Sequence, residues 1–398
     1  MNFIKLALPA LIAIAFAPAH AGGTVVEVGA TTAPAVTTAA TLGARLGNLA
    51  VFSYTASEMG ASSIIWGSYW SGGVITNPSL ATVFGNVTSP LAATLGNGAL
   101  VTGSVVSGDV LTIGDGGTVV GSIKSTGAST VGANAVVYGN MWAGGVATIS
   151  ASGRVNGNVD APAAPVLGDP LYNVGGSIGT TPVAADLKNK LIAQNVAGGL
   201  QIAAAQDALA ALSTTVELVA TQVTSTTFYA GVYRADSWTT TADITITLDF
   251  ENQDSASFVF NFRDIFSTGA STKFVLVNEG ANDHVVWNAY GKGGYVHLGA
   301  STEIMGPILA TTYINADASA IVSGVDGMCG GIYSATSVAQ GNASAQIGGE
   351  GCGFPAVPEK ANPDGGSTTP VPEPETYALL LGGLAALGFV ARRRSRAV

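Results

Sequence analysis

Charge is what this chain has least of: 10% of its 398 residues are Asp, Glu, Lys or Arg. That scarcity, with 47% hydrophobic residues, excludes the disordered class, which needs the opposite balance. Histidine is also scarce, and only His284 and His297 lie beyond residue 21. Two cysteines, Cys329 and Cys352, are too few for a zinc framework or a disulfide-dense scaffold. The 15 basic residues are outnumbered by 25 acidic ones, for a net charge of −10. Without a basic stripe, neither nucleic acid nor an anionic lipid surface is an expected partner. What the chain has in quantity is glycine, 53 of it, among Ala, Thr, Ser and Val. Many short strands with tight turns suit that composition.

The two ends are addresses rather than fold. MNFIKLALPALIAIAFAPAHAG carries Lys5, an apolar run from Leu6 to Phe16 and the small-x-small site Ala19-His20-Ala21. Residues 1–21 therefore read as a secretory signal peptide, with 22–45 as a linker behind it. At the other end, a run of apolar residues from Tyr377 to Ala391 is shorter than the ~20 that span a bilayer comfortably. Arg392, Arg393, Arg394 and Arg396 would hold that end on the cytoplasmic side. Val371-Pro372-Glu373-Pro374, this apolar stretch and the basic cluster together resemble the PEP-CTERM sorting signal of Gram-negative bacteria that secrete exopolysaccharide. The resemblance assigns 372–398 to the signal and 355–371 to a linker. It implies transient inner-membrane anchoring, processing by an exosortase, and a final place at the cell surface or in the extracellular matrix. An ordinary C-terminal anchor would also leave the protein at the surface. In an oxidising compartment Cys329 and Cys352 either pair, closing a Gly-rich loop, or remain two free thiols.

Between the ends the sequence repeats. Gly67, Gly85, Gly103, Gly121, Gly139 and Gly157 fall eighteen apart, each followed by Ser or Asn. A fixed period means stacked units that cannot bury their own apolar faces. Eighteen residues suit one coil of a β-helix with three short faces, about five coils between residues 60 and 160. Val83, Val101, Val119, Val137 and Val155 form one inward column. Leu95, Ile113, Val131 and Ile149 form a second, with Asn77 as its odd member. Tyr69, Val87, Val105, Ile123, Met141 and Val159 form a third.

Side chains alternate along a strand, so Thr76, Thr94, Thr112, Thr130 and Thr148 face outward. Val74, Ala92, Val110, Ala128 and Val146 lie two residues earlier on the same side. The expected outcome is a flat, uncharged strip of hydroxyls and methyls, with columns about 7 Å apart and rungs about 4.8 Å apart. Such spacings are comparable with oxygen repeats on ice planes. Threonine is also simply a good β former on a solvated face, and that reading stands beside the first. Trp66, Tyr69, Trp70, Tyr138 and Trp142 come close together if the coils stack, as sugar-stacking platforms or as packing.

Residues 161–183 are Pro/Gly-rich and break the solenoid of 46–160. Residues 184–213 are Ala-rich and read as one helix, or as two interrupted at Gly198-Gly199. Leu187, Leu191, Ile202, Ala205, Leu209 and Leu212 supply its apolar stripe. Strands return over 214–354, as in ITITLDF from Ile244 to Phe250. There Ala230-Gly231-Val232-Tyr233, Leu248-Asp249, Phe258-Val259-Phe260-Asn261-Phe262, Val285-Val286-Trp287 and Gly306-Pro307-Ile308-Leu309-Ala310 follow in order. This run resembles the ice-binding protein family typified by the DUF3494 domain, and Leu46-Gly47-Asn48-Leu49-Ala50-Val51-Phe52 resembles its opening segment. The resemblance covers roughly 46–335. It implies a mainly β fold, a discontinuous β-solenoid built from both ends of the domain with a long α-helix packed alongside. The N-terminal half is longer and more regular than the family's usual version, which leaves open whether the two solenoid parts merge.

Catalytic chemistry is not indicated. His284 follows Asp283 with no motif around the pair, and the repeats contain no histidine. Asp236, Asp243, Asp249, Glu251, Asp254 and Asp264 are candidates for paired-carboxylate hydrolysis, though turns attract Asp in any case. No metal-ligand spacing, phosphate loop or cofactor motif is present. The expectation is an exported, non-enzymatic β-solenoid. It binds an extended repeating surface through the threonine and aliphatic columns, with ice first and a matrix polysaccharide as the alternative.

Overall fold

The computed structural model describes residues 27–28, 42, 46–181, 183–349 and 351–353. The signal peptide, most of the 22–45 linker, the 355–371 linker, Val371 to Pro374 and the Tyr377–Ala391 run lie outside the described residues. Met1–Val357 and Pro358–Val398 are separate units, and the fold below belongs to the first.

Each turn of the chain lays one short strand on each of three faces. The first coil runs Leu49–Ser53, Ser57–Glu58, Ile64–Trp66 and then steps to Ser68–Ser71 of the next. One face, the helix face, is a 14-stranded sheet, and another, the long face, has 13 strands. The third, the split face, consists of a seven-stranded and a six-stranded sheet that meet at the bridge between Met59 and Gly341. Pairing between rungs is parallel across all three faces.

The inward columns follow the spacing of the sequence. Val83, Val101, Val119, Val137 and Val155 stack in register. So do Tyr69, Val87, Val105, Ile123, Met141 and Val159, all buried. Each such side chain removed from water contributes about 1.5–3 kcal/mol. The glycine column lies where the long face turns into the helix face, and contact between rungs explains it. A Cβ on Gly103 would sit 2.5 Å from the carbonyl oxygen of Gly85, and one on Gly85 would sit 2.3 Å from that of Gly67. The following Ser or Asn then links the rungs. Asn86 Oδ1 accepts from Ser104 N at 2.8 Å, Ser104 Oγ from Ser122 N at 3.1 Å, and Asn140 Oδ1 from Asn158 N at 2.8 Å.

Between Gly231 and Glu303 the coils are longer. Asn261 and Asn288, neighbours in register, are 27 residues apart, against 18 in the repeats. A wider coil encloses more volume, and aromatic rings fill it. Trp287 stacks on Phe260 with centroids 4.2 Å apart and on Phe266 at 5.0 Å, and Trp238 stacks on Phe262 at 5.8 Å.

The two solenoid parts form one body. Val51 pairs with Ile332, Phe52 with Tyr333, and Ile65 with Ile347. From Leu49, in mid-body, the chain winds to one end, crosses to the other, and winds back to a seam against the coil that Leu49 opens. Cys329 and Cys352 form a disulfide there. Glu27–Val28 pairs with Thr227 and Phe228 at the far end of the long face.

The crossing is made by one helix, α1 (Leu187–Ala210), continuous through Gly198 and Gly199. Its 24 residues span about 36 Å on the helix face. Leu191, Ile202, Ala205 and Leu209 are buried against that sheet, with Leu187 and Leu212 half-buried. Polar side chains clamp it as well. Asn195 accepts from Trp70 Nε1 at 3.0 Å and donates to Tyr54 O at 3.0 Å. Asn261 donates to Leu209 O at 2.9 Å, Asn288 to Gln206 O at 3.0 Å, and Gln206 to Ala289 O at 2.8 Å. Among the described residues no helix is long and apolar enough to cross a membrane.

Candidate functional site

The threonine column occupies the seven-stranded sheet of the split face. Thr76 pairs with Thr94, Thr94 with Thr112, Thr112 with Thr130, and Thr130 with Thr148, without a register shift. The buried residues on either side, such as Leu111 and Ile113, fix each threonine outward. Among the described residues no protein partner takes up the five hydroxyls, which leaves them to solvent. Val74, Val110 and Val146 are 41%, 42% and 52% exposed, while Ala92 and Ala128 are half-buried. Backbone bonds from Ile75 N to Ala92 O at 3.0 Å and from Ala93 N to Val110 O at 3.0 Å hold this second column in step. The rungs repeat at about 4.8 Å and the columns stand about 7 Å apart. No side chain in either column carries charge. Glu58 closes the threonine column at one end and Val166 at the other.

The six-stranded sheet continues the same face with different chemistry. His297, Asn315 and Gln340 follow in register. Asp317 takes His297 Nε2 at 3.0 Å, Asn315 Nδ2 at 2.6 Å and Asn342 Nδ2 at 3.0 Å. Gln340 donates to Tyr313 Oη at 2.7 Å. These groups satisfy one another and include charge, so the uncharged strip ends at the seam.

The carboxylates considered for hydrolysis are spread over three corners of the coil. Asp236 and Asp264 lie where the helix face meets the split face, and Asp236 pairs with Arg263 at 2.9 Å. Asp243 lies at the next corner. Asp249, Glu251 and Asp254 lie at the third, where Asp249 accepts from Glu251 N at 2.9 Å and Asp254 from Ala281 N at 2.9 Å. They act as turn residues. His284 is buried, and removal from water holds its imidazole below the usual range. Among the described residues no group of three or more His, Cys, Asp or Glu is arranged to hold a metal ion.

The aromatic residues do not converge. Tyr69 points into the core, where burial pushes its phenol well above the usual range. Trp70 lies under α1. Trp142 is on the helix face, with Lys124 Nζ 5.9 Å from its ring centroid. Trp66 and Tyr138 are on the long face. Alternation and the turning of the coil separate them, because neighbours in sequence fall on different faces or opposite sides of one strand. The pairing that the structure does make, Trp66 on Phe84, is written in the sequence at the same eighteen-residue step.

Comparison with known proteins places two family models on the chain. The ice-binding-like model matches residues 123–343, more than half of the length, starting within the repeats rather than at residue 46. The PEP-CTERM protein-sorting motif matches residues 370–394. No curated protein matches. Among solved structures, the chain is similar to an ice-binding protein from the Antarctic ascomycete Antarctomyces psychrotrophicus, at 23% identity over 51% of this chain and 89% of that one, TM-score 0.31. It is similar to an ice-binding protein from an Antarctic Flavobacteriaceae bacterium, at 15% identity over 74% and 81%, TM-score 0.34. A third, an ice-binding protein with antifreeze activity from an Arctic yeast, is 16% identical over 54% and 89%, TM-score 0.32.

Proposed function

The chain belongs to the ice-binding-like family, and from that premise we propose that it binds ice through the threonine strip of the split face. A single observation carries the reading: five outward threonines on consecutive rungs stand in register beside an aliphatic column, with no charge between them. A rigid surface of methyls and hydroxyls at fixed spacing orders water without binding it tightly. Recognition is then a matter of shape and repeat, and no catalytic step is involved. With its sorting motif, this is an exported ice-binding-like protein. We read the motif as the substrate of an exosortase. On this reading the protein is anchored transiently in the inner membrane of a Gram-negative cell and acts as an adhesin at the surface or in the matrix.

The test uses the chain from Gly22 to Val357 below freezing, scored for ice-crystal shaping and recrystallisation inhibition. Thr112→Lys with Thr130→Lys is expected to abolish both while leaving the melting midpoint within a few degrees. Faceted crystals from the folded double variant would move the site to another face.

A second reading, attachment to a matrix polysaccharide, draws its support from the exposed Trp66 stacked on the half-buried Phe84 on the long face. Retention on immobilised polysaccharide, compared with incorporation into growing ice, separates the two.

A further inference from the structure

We propose that the outward face of α1 docks on the same face of a second copy, the two helices packing antiparallel about a two-fold axis at Gly198. This surface is separate from the threonine strip and from Trp66, which lie on the other two faces.

A helix lying on a sheet normally turns charged and polar side chains to water, and one that is apolar all round is covered. Between Lys190 and Asp207, α1 holds no charged residue. Leu191, Ile202, Ala205 and Leu209 face the sheet. On the other side Ile192, Val196 and Leu200 stand one turn apart and are 42%, 43% and 68% exposed. Among the described residues the chain's own cover reaches one flank of α1, where Gln201 donates to Leu42 O and Leu42 and Leu46 are buried.

The outward residues are ordered as a seam. Asn189, Ala193, Val196, Leu200, Ala203 and Asp207 follow at alternating steps of four and three, the spacing of helices that pack along their length. All are exposed except Ala203, which is half-buried. The pattern reads the same from both ends, with Gly198 at its centre. A two-fold axis there sets Val196 against Leu200 of the second copy, Ala193 against Ala203, and Asn189 against Asp207. Such self-complementarity is what an isologous interface requires, and it makes a second copy the partner. The alanine layers let the helix axes approach to the lower end of the usual range of about 8–10 Å.

Charge fixes the direction. Lys190 holds Asp186 of its own helix at 2.7 Å, with both side chains largely in water. Asp207, by contrast, has no ion-pair partner among the described residues. Lys190 flanks the layer that receives Asp207 of the second copy, so an antiparallel pair joins opposite charges at both ends of the seam. A parallel pair would set Asp207 against Asp207. The seam is about 27 Å long. That places it among the small interfaces, below about 1,200 Å² in total, so the association is reversible and rises with concentration.

The experiment is sedimentation equilibrium of the chain from Gly22 to Val357, from about one to several hundred micromolar. The wild-type mass is expected to rise from monomer to dimer across that range. Val196→Lys with Leu200→Lys, both at exposed positions and both to a good helix former, should weaken dimerisation at least tenfold. Asp207→Lys alone should weaken it about threefold or more, and Lys190→Asp added to it should restore it to within about twofold of wild type. Melting midpoints at the lowest concentration confirm that the variants are folded. A monomer at every concentration overturns the proposal, whatever else covers the face. Equal dimerisation of wild type and the folded Val196/Leu200 variant overturns it by placing the contact elsewhere. Failure of the charge exchange to restore dimerisation overturns the antiparallel register.

Discussion

Asn77 is the polar exception in a column otherwise made of Leu95, Ile113, Val131 and Ile149. It is 1% exposed, and neither Nδ2 nor Oδ1 has a hydrogen-bond partner among the described residues. A buried amide left unpaired costs about 1–3 kcal/mol. Asn77→Leu, close to isosteric, is therefore expected to raise the unfolding free energy by roughly that amount, read as a higher denaturant midpoint at unchanged m-value. A lower midpoint would show that the amide is satisfied and stabilising. At this scale the repeat half was legible, because a column shared by consecutive rungs exposes any residue that breaks it. The pairing of Trp66 with Gly348 was not legible, because it is made only through the seam and no local spacing connects the two.

The helix α1 is clamped by polar side chains more than its composition suggests, and its glycine pair marks the closest approach. A Cβ on Gly198 would lie 2.5 Å from the ring of Phe52, and one on Gly199 would lie 2.6 Å from Ala335 O. On propensity alone, Gly198→Ala should stabilise a helix by about 1 kcal/mol. Overpacking costs typically 1–3 kcal/mol, and an aromatic ring held in the core of the contact has little room to yield. The expected result is a lower melting midpoint, by a few degrees, against the propensity trend. A rise would mean that α1 lifts off Phe52 at no cost. The apolar stripe of this helix was readable from its spacing. Its polar contacts were not, since Asn195 and Gln206 look like surface residues until the sheet that receives them is in place.

The whole molecule is held closed at the seam, and the disulfide lies beside it. Cys329 and Cys352 are 23 residues apart, a loop whose closure is worth about 3 kcal/mol in the chain-entropy account. Cys329→Ser with Cys352→Ser should lower the melting midpoint and make the last coil, from Ile332 to Gly348, the first to exchange its amide hydrogens. Equal protection of that coil in both forms would show that the stacking of the seam holds it alone. A β-solenoid in the repeats was legible from the eighteen-residue period. The single body was not. The pairing of Val51 with Ile332 joins coils of different length far apart in the chain, and no periodicity spans that distance.

The seam also sets an order of events. The strand from Leu49 to Ser53 is among the first to leave the ribosome, and the strand from Ile332 to Ser334 that covers its edge is among the last. Until then the first coil has one unpaired side on each of its faces. Contacts this distant in the chain are closed late and slowly. Assembly from the front is thereby discouraged, so that the chain commits to its final shape only when nearly all of it is present.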